Sequence, residues 1–310
     1  MTISTRRPKP IYVEQSMRCS MEQLWLHTQQ PELHERWDLR FSSIRYLPRK
    51  EGEVQRFHYT TRIGFGLSIS GSGATRDHEE PNGCKVSALQ FASSQPISLI
   101  RSGAGFWRYE PSDDDGIRFL TRYTYTNRFG IAGSLLDRAV FRPLMGWATA
   151  WSFDRLRLWL EKGWSPELTL RMALLNAISL LLLSGLWLYE GLVPKLFLPS
   201  RTELELLANL GFSAEGSTFA LTGLGLLEAA LGVSLLLFRS TMLIRFQGLM
   251  LMLLVAGAVI SSPEQLAEPF NALTLTVPML GLTAVCLLAQ PFAPQAGRCH
   301  RVPTPRRTLQ

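Results

Sequence analysis

A lone carboxylate inside an apolar run is the sharpest chemical signal in this sequence. Glu228 is the one charged residue between Phe219 and Phe238. At helical spacing it shares a face with Gly225, Ala229 and Gly232. Such small residues let a neighbouring helix approach, and a carboxyl can then bond across the contact. A carboxyl in mid-bilayer is costly without a partner, so it marks either a functional site or an interhelical tie. Ser184 and Thr283 count to a similar depth in their own apolar runs and are the expected partners. Lys195 falls near the outer boundary, roughly 14 Å away at helical rise, and its arm reaches about 6 Å, so an ordinary Lys195–Glu228 pair would not meet without tilt or snorkelling. Glu190 and Lys195 complete the membrane polar candidates, both explicable as residues snorkelling to the interface.

A second set of candidates is aromatic. Tyr59, Trp107, Tyr109, Phe119 and Tyr123 fall on apolar strand faces, with Trp37 placed near a mouth. Together they suit a sheet curled around an elongated apolar cavity that takes a hydrophobic small molecule, although each alone is also a plausible core residue. Arg108 and Arg122 have the opposite parity and should face outward. No acid–base pair can be named. There is no G-x-S-x-G, no phosphate-loop motif and no H-E-x-x-H, which argues against an enzyme. The five histidines, His27, His34, His58, His78 and His300, lack ligand spacing, so no metal and no cofactor is expected. The glycines of 64–73 lead to no helix that could hold a phosphate, and they read as bulges or sheet bends. Asp113–Asp115 read as a solvated hairpin tip.

The chain that must position these residues has 310 of them, with 32 Lys and Arg against 25 Asp and Glu. Residues 1–164 hold 23 of the basic and 17 of the acidic residues, and the remainder is sparsely charged between long apolar runs. A soluble-type domain of 1–164 therefore precedes a membrane domain of 165–310, which excludes a disordered chain, a fibrous repeat and a wholly soluble enzyme. The arginines are dispersed with no run of like charge. That fits a face near anionic lipid headgroups and argues against nucleic acid. Cys19, Cys84, Cys286 and Cys299 are far apart and suggest neither a disulfide scaffold nor a zinc ribbon. The amino terminus has no apolar signal region, so the first domain is expected in the cytosol.

In 1–164, Ile11–Met17 alternates, Ser20 caps a short helix, and Pro31 opens a second. Strands are predicted at Phe41–Tyr46, Val54–Ile63, Leu67–Gly71, Val86–Ala92, Phe106–Glu110 and Ile117–Tyr125, parted by RKEGE, DHEEPNG and PSDDDG. A helix from about Gly130 to Lys162 closes the domain, with Leu144, Trp147, Ala148, Trp151 and Leu158 on one face and Phe153, Leu156 and Leu160 on a second. The opening IYVEQSMRCSMEQLWLHTQQPELHERWDLRF, with Trp37-Asp38, and the closing RLRLWLEKG resemble the START-like (SRPBCC) superfamily over roughly 8–163. That resemblance implies an α+β helix-grip fold, shared by polyketide cyclases and lipid-transfer domains, and leaves the ligand open.

Four apolar runs follow, with spans near 172–193, 219–238, 242–262 and 272–292, each long enough for a hydrocarbon core of about 30 Å. Arg239 and Arg245 lie between the second and third, and Arg298, Arg301, Arg306 and Arg307 follow the fourth. The third-to-fourth connection carries only Glu264 and Glu268, so both termini are expected on the cytosolic side. GLWLYEGLVPKLF, LTGLGLLEAALGVSLLL and EPFNALTLTVPMLGL, in that order, are similar to the DoxX-like family of four-helix membrane proteins. The resemblance implies a bacterial inner-membrane location and a loose link to redox and thiol homeostasis. The leading expectation is membrane-tethered binding of a lipid, isoprenoid or quinone in the first domain. Alternatives are a membrane-bound enzyme of cyclase type, a redox-linked protein with an oxidoreductase partner, and a structural adaptor or homo-oligomer.

Overall fold

The computed structural model describes residues 9–303 apart from 51, 113–115, 262, 268 and 270. The expected Asp113–Asp115 tip, Glu268 and Arg306–Arg307 therefore lie outside the described residues. The chain divides into two units: Met1–Thr169 with Pro294–Gln310, and Leu170–Ala293.

The first unit opens with β1 (Ile11–Met17) and two short helices, α1 (Met21–Gln29) and α2 (Pro31–Trp37). Ser20 and Gln23 form a reciprocal capping box on α1, which fixes where the helix starts. Six strands follow as an antiparallel meander: β2 (Ser43–Tyr46), β3 (Gln55–Gly64), β4 (Leu67–Glu79), β5 (Lys85–Ala92), β6 (Ile100–Ser112) and β7 (Gly116–Asn127). Strand β1 joins beside β7, giving the order β1-β7-β6-β5-β4-β3-β2. A long helix, α4 (Arg142–Lys162), buries Trp151, Phe153, Leu156 and Leu158, and the result is a helix-grip fold.

The glycines of β4 and β6 have a specific use. Tyr59 faces Gly71, Phe57 faces Gly73, Phe91 faces Gly103 and Tyr123 faces Gly105 across neighbouring strands. A Cβ at Gly71 would sit 2.4 Å from the Tyr59 ring and one at Gly105 would sit 2.3 Å from Tyr123 Cβ. Gly71 and Gly73 keep register in β4 and give room to aromatic rings; in the stretch expected to form bulges or sheet bends, the register shift falls between Arg62 and Gly64. Gly64 and Gly66, at φ +92° and +76°, do make a turn, the β3–β4 tip.

Two further differences have clear causes. The expected helical stretch from Gly130 to Lys162 is continuous, but one turn of it, Asp137–Phe141, is π-helical and parts α3 (Gly130–Leu136) from α4. There the Asp137 carboxylate is drawn inward by Tyr125 Oη and by Arg142 Nε. The segment after the last apolar helix belongs to the first unit. His300 exchanges two 2.9 Å backbone hydrogen bonds with Glu14 on the free edge of β1. Asp154 on α4 accepts from Gln295 N at 2.7 Å and from Arg298 at 3.1 Å. An open strand edge and a buried carboxylate both need partners, and this segment supplies them.

The second unit contains α5 (Pro166–Leu192) from Leu170 onward, a π-turn (Val193–Phe197), α6 (Arg201–Asn209), α7 (Ala214–Leu237), α8 (Thr241–Ser261) and α9 (Ala272–Ala289). Among the described residues, four helical stretches are long and apolar enough to cross a membrane: 166–197, 214–237, 241–260 and 272–298. Leu183, Trp187, Leu235, Ile244 and Met279 fill the core between them. Backbones come closest at Gly191 and Gly225, where a Cβ on Gly191 would lie 2.5 Å from the Gly225 carbonyl oxygen.

Candidate functional site

The inward positions of β3, β5 and β7 alternate with outward ones, so Phe57, Tyr59, Leu89, Phe91 and Tyr123 share the concave face. Helices α1 and α2 and the C-terminal half of α4 fill one half of that face. Over the other half lies a cavity of about 390 Å³, closed on its far side by Leu144, Met145 and Ala148 of α4. This is within the range of ligand sites. The outer face of the sheet carries a wider trough of about 1280 Å³ beside Arg56, His58 and Arg122. That trough is open to water and encloses nothing, so the inner cavity is the candidate site.

Of the six aromatics singled out from the sequence, Tyr59, Trp107 and Tyr123 line the cavity. Trp37, Tyr109 and Phe119 do not. Trp37, expected near the mouth, is fully buried and donates from Nε1 to the His27 carbonyl at 2.9 Å. Phe119 stacks on Phe153 at 4.4 Å, and Tyr109 Oη is within 2.8 Å of Thr28 Oγ1. Tyr109 and Phe119 have the right parity but sit in the half of the sheet that the helices fill. They form a floor that holds Trp107.

The cavity wall also carries charge. Arg40 lines it, and its guanidinium forks onto Asp38 with Nε–Oδ1 2.8 Å and Nη2–Oδ2 2.6 Å. His34 Nε2 lies 3.0 Å from Asp38 Oδ2. Burial alone would raise the Asp38 carboxyl, but Arg40 and the His34 hydrogen bond overcome this and hold it well below the usual carboxylate range. Burial raises the Tyr123 hydroxyl, and Arg40 partly opposes this. Sequence reasoning takes Trp37-Asp38 as a fold marker and misses the Asp38–Arg40 pair. Its signal was an Asp-x-Arg step between the apolar residues Trp37, Leu39 and Phe41.

In the second unit the Lys195–Glu228 expectation is overturned. Lys195 Nζ lies 3.1 Å from Glu228 Oε2, 3.1 Å from Glu203 Oε1 and 3.9 Å from Glu190 Oε2. The depth count presumed that the outer ends of α5 and α7 are level. In the structure the first turns of α7 run beside α6, and the π-turn after α5 packs on α7 at Gly225, one turn from Glu228. Ser184 and Thr283 are engaged elsewhere: Ser184 Oγ donates to the Gly232 carbonyl at 2.7 Å, and Thr283 Oγ1 accepts from Gln247 Nε2. Gln247 Oε1 in turn accepts from Trp187 Nε1 at 3.0 Å. Among the described residues no group of three or more His, Cys, Asp or Glu is arranged as metal ligands.

Two outcomes follow. The Asp38 pKa is depressed in the folded state, so its contribution to stability is complete above about pH 4 and is lost as pH falls below that. Denaturant titrations of the detergent-solubilised protein, read by near-UV circular dichroism, should show that acid loss, and Asp38→Asn should flatten it. Lys195→Met should destabilise the bundle by about 3–5 kcal/mol, because it leaves Glu228 buried and uncompensated. Adding Glu228→Leu should recover most of that, as measured by unfolding in sodium dodecyl sulfate.

Residues 184–284 match a family model described as the DoxX-like family. The uncharacterized membrane protein YndG of Bacillus subtilis is 46% identical over 186 residues, 60% of this chain and 69% of that protein. Among solved structures, a STAR-related lipid transfer protein fragment from Xanthomonas axonopodis is 11% identical, covering 47% of this chain and 84% of its own, with a TM-score of 0.37. The Zhui aromatase/cyclase from Streptomyces sp. R1128 is 13% identical, covering 48% and 96%, with a TM-score of 0.36. Hypothetical protein jhp0584 from Helicobacter pylori is 15% identical, covering 51% and 92%, with a TM-score of 0.41. Likeness at this level says nothing of ligand or reaction.

Proposed function

We propose a function from one premise: the chain belongs to the same membrane-protein family as YndG of Bacillus subtilis. It is a membrane protein that joins a START-like helix-grip unit to a DoxX-like bundle of apolar helices. The first unit binds a hydrophobic small molecule, and the bundle anchors that unit in a membrane. The observation that carries this reading is the cavity of about 390 Å³, walled by Phe57, Tyr59, Phe91, Trp107 and Tyr123.

The single charged step in that wall narrows the ligand. Arg40 is already neutralised by Asp38, so the wall has no net charge to offer an anionic head. It suits one uncharged polar end, a hydroxyl or carbonyl, on an apolar body. A lipid alcohol, an isoprenoid or a quinone fits that description. His34 and Arg40 on the same wall support a second reading, in which the bound molecule is also transformed by cyclase-type chemistry. In a bacterial inner membrane both termini would lie in the cytosol, an orientation supported by Arg239 between α7 and α8, Arg245 near the start of α8, and Arg298 and Arg301 after α9.

Native mass spectrometry of the detergent-purified protein should find a neutral apolar molecule retained. A fluorescent fatty alcohol should bind better than the matching fatty acid. Ala148→Trp, which fills the cavity, should weaken alcohol binding by at least roughly tenfold, about the loss of one well-buried apolar contact. Arg108→Ala, on the outer face, should leave it unchanged. Equal effects would reject the cavity as the site. Independently, a periplasm-active reporter fused after Ser213 should be active, and one fused after Arg239 inactive. The reverse pattern would place the ligand-binding unit outside the cytosol.

A further inference from the structure

An antiparallel meander puts alternate connections at the same end of its sheet. The β3–β4, β5–β6 and β7–α3 connections therefore share one end of the first unit, and the β2–β3 and β4–β5 connections share the other. The two ends differ in composition. The second is polar, with Arg49, Lys50 and Glu53 in one connection and Glu80, Pro81 and Asn82 in the next. The first is apolar and uncovered. Phe65 at the β3–β4 tip is wholly exposed, Ile131 on α3 is 79% exposed, and Ile97, Leu135, Leu136 and Val140 are more than half exposed. Ile63 and Leu144, each about half exposed, are the most exposed large apolar residues lining the cavity and lie at this end, so the cavity reaches the surface here.

Charge at this end has one sign. Arg62, Arg101 and Arg138 are exposed there, and none makes an ion pair among the described residues. Segments 62–67 and 93–101 contain no acid, and the acid in 128–147, Asp137, is buried and bound by Tyr125 and Arg142. An apolar edge with unpaired arginines behind it matches the apolar-below, anionic-above layering of a bilayer interface. A soluble acidic partner would leave Phe65 and Ile131 without cover. The chain also carries four membrane-capable helices, so this unit is tethered to a bilayer.

We infer that the Phe65–Ile131–Leu135 end of the first unit docks into the interface of an anionic bilayer, so that the cavity mouth opens to lipid. The inference builds on the ligand reading above and names the bilayer as the source of the cargo. Its test uses the full chain in nanodiscs of phosphatidylcholine and phosphatidylglycerol, in a Cys19→Ser background because the other three cysteines are buried. Single nitroxides go on Phe65→Cys, Ile131→Cys or Leu135→Cys, with Asn82→Cys as the control. The three rim labels should favour oxygen over an aqueous nickel complex as a relaxing agent, and the control should show the opposite. Replacing phosphatidylglycerol with phosphatidylcholine should reduce that preference. Rim labels as aqueous as Asn82 would overturn docking, as would rim labels broadened by contact between two copies.

Ile131→Asp with Leu135→Asp should slow transfer of a fluorescent fatty alcohol from donor vesicles by at least roughly tenfold, because inserted aliphatic side chains are replaced by charge. An unchanged rate would also overturn docking. Alcohol binding in detergent separates the two ideas. Aqueous rim labels with the alcohol still bound reject docking and keep the ligand reading. Rim labels at depth with no alcohol bound keep docking and reject the ligand reading.

Discussion

Aromatic rings facing glycines across neighbouring strands are the contact on which the rest of the first unit depends. Phe57, Tyr59, Phe91 and Tyr123 each face a glycine, and all four line the cavity. With no Cβ opposite, a ring can lie against the neighbouring strand instead of standing into the space beneath. The concave face is thus lined with large apolar area and still left hollow. Side chains at Gly73 or Gly103 would push the Phe57 or Phe91 ring inward, since an added Cβ would meet either ring within 2.4 Å. The helices then decide how much hollow remains. They occupy the half of the face that holds Tyr109 and Phe119 and stop short of the half that holds Tyr59.

The second unit rests on the same absence of side chains. Gly191 and Gly225 let α5 and α7 approach until a Cβ on either would strike the other's carbonyl oxygen. That approach carries Lys195 to Glu228 and to Glu203, so the ammonium is surrounded by acceptors and the most buried carboxylate has a counter-charge. A buried pair of this kind adds little net stability compared with apolar packing, but removing one partner is severe. It therefore acts as a register lock for the α5–α7 crossing.

Much of this was legible in residue order. Strand signals located all seven strands, although β4 and β6 run well beyond the expected Leu67–Gly71 and Phe106–Glu110; Ser20 gave the start of α1, and four apolar runs, one holding Glu228 and one Arg245, gave the membrane helices. What failed shares one cause: sequence periodicity assigns a face but not a position along it. Tyr109 and Phe119 share a face with Tyr123, yet only Tyr123 meets the cavity, because the ends of α1 and α2 are fixed by tertiary packing. Glu228 and Lys195 were misjudged by counting depth along each run from its own end, which carries no information about how the two helices are offset. Asp38 and Arg40 were two residues apart in plain view. Two charges flanking an apolar residue usually mean a loop at the surface, and here they mean a wall of the cavity.

The backbone itself argues that the apolar end of the first unit answers to something outside the fold. Two non-glycine residues among those described have positive φ: Phe65 at 50° and Phe129 at 67°. Left-handed backbone is unfavourable for a bulky side chain, and glycine or asparagine would satisfy either position with less strain. Phe65 already has glycines on both sides to make its turn. Neither ring gains burial in return, since Phe65 is wholly exposed and Phe129 more than half exposed. Folding alone would select against phenylalanine twice, once for the backbone and once for the exposed ring. Its presence at two strained positions on the same end of the sheet is economical only if the rings are covered by a medium that the fold does not contain.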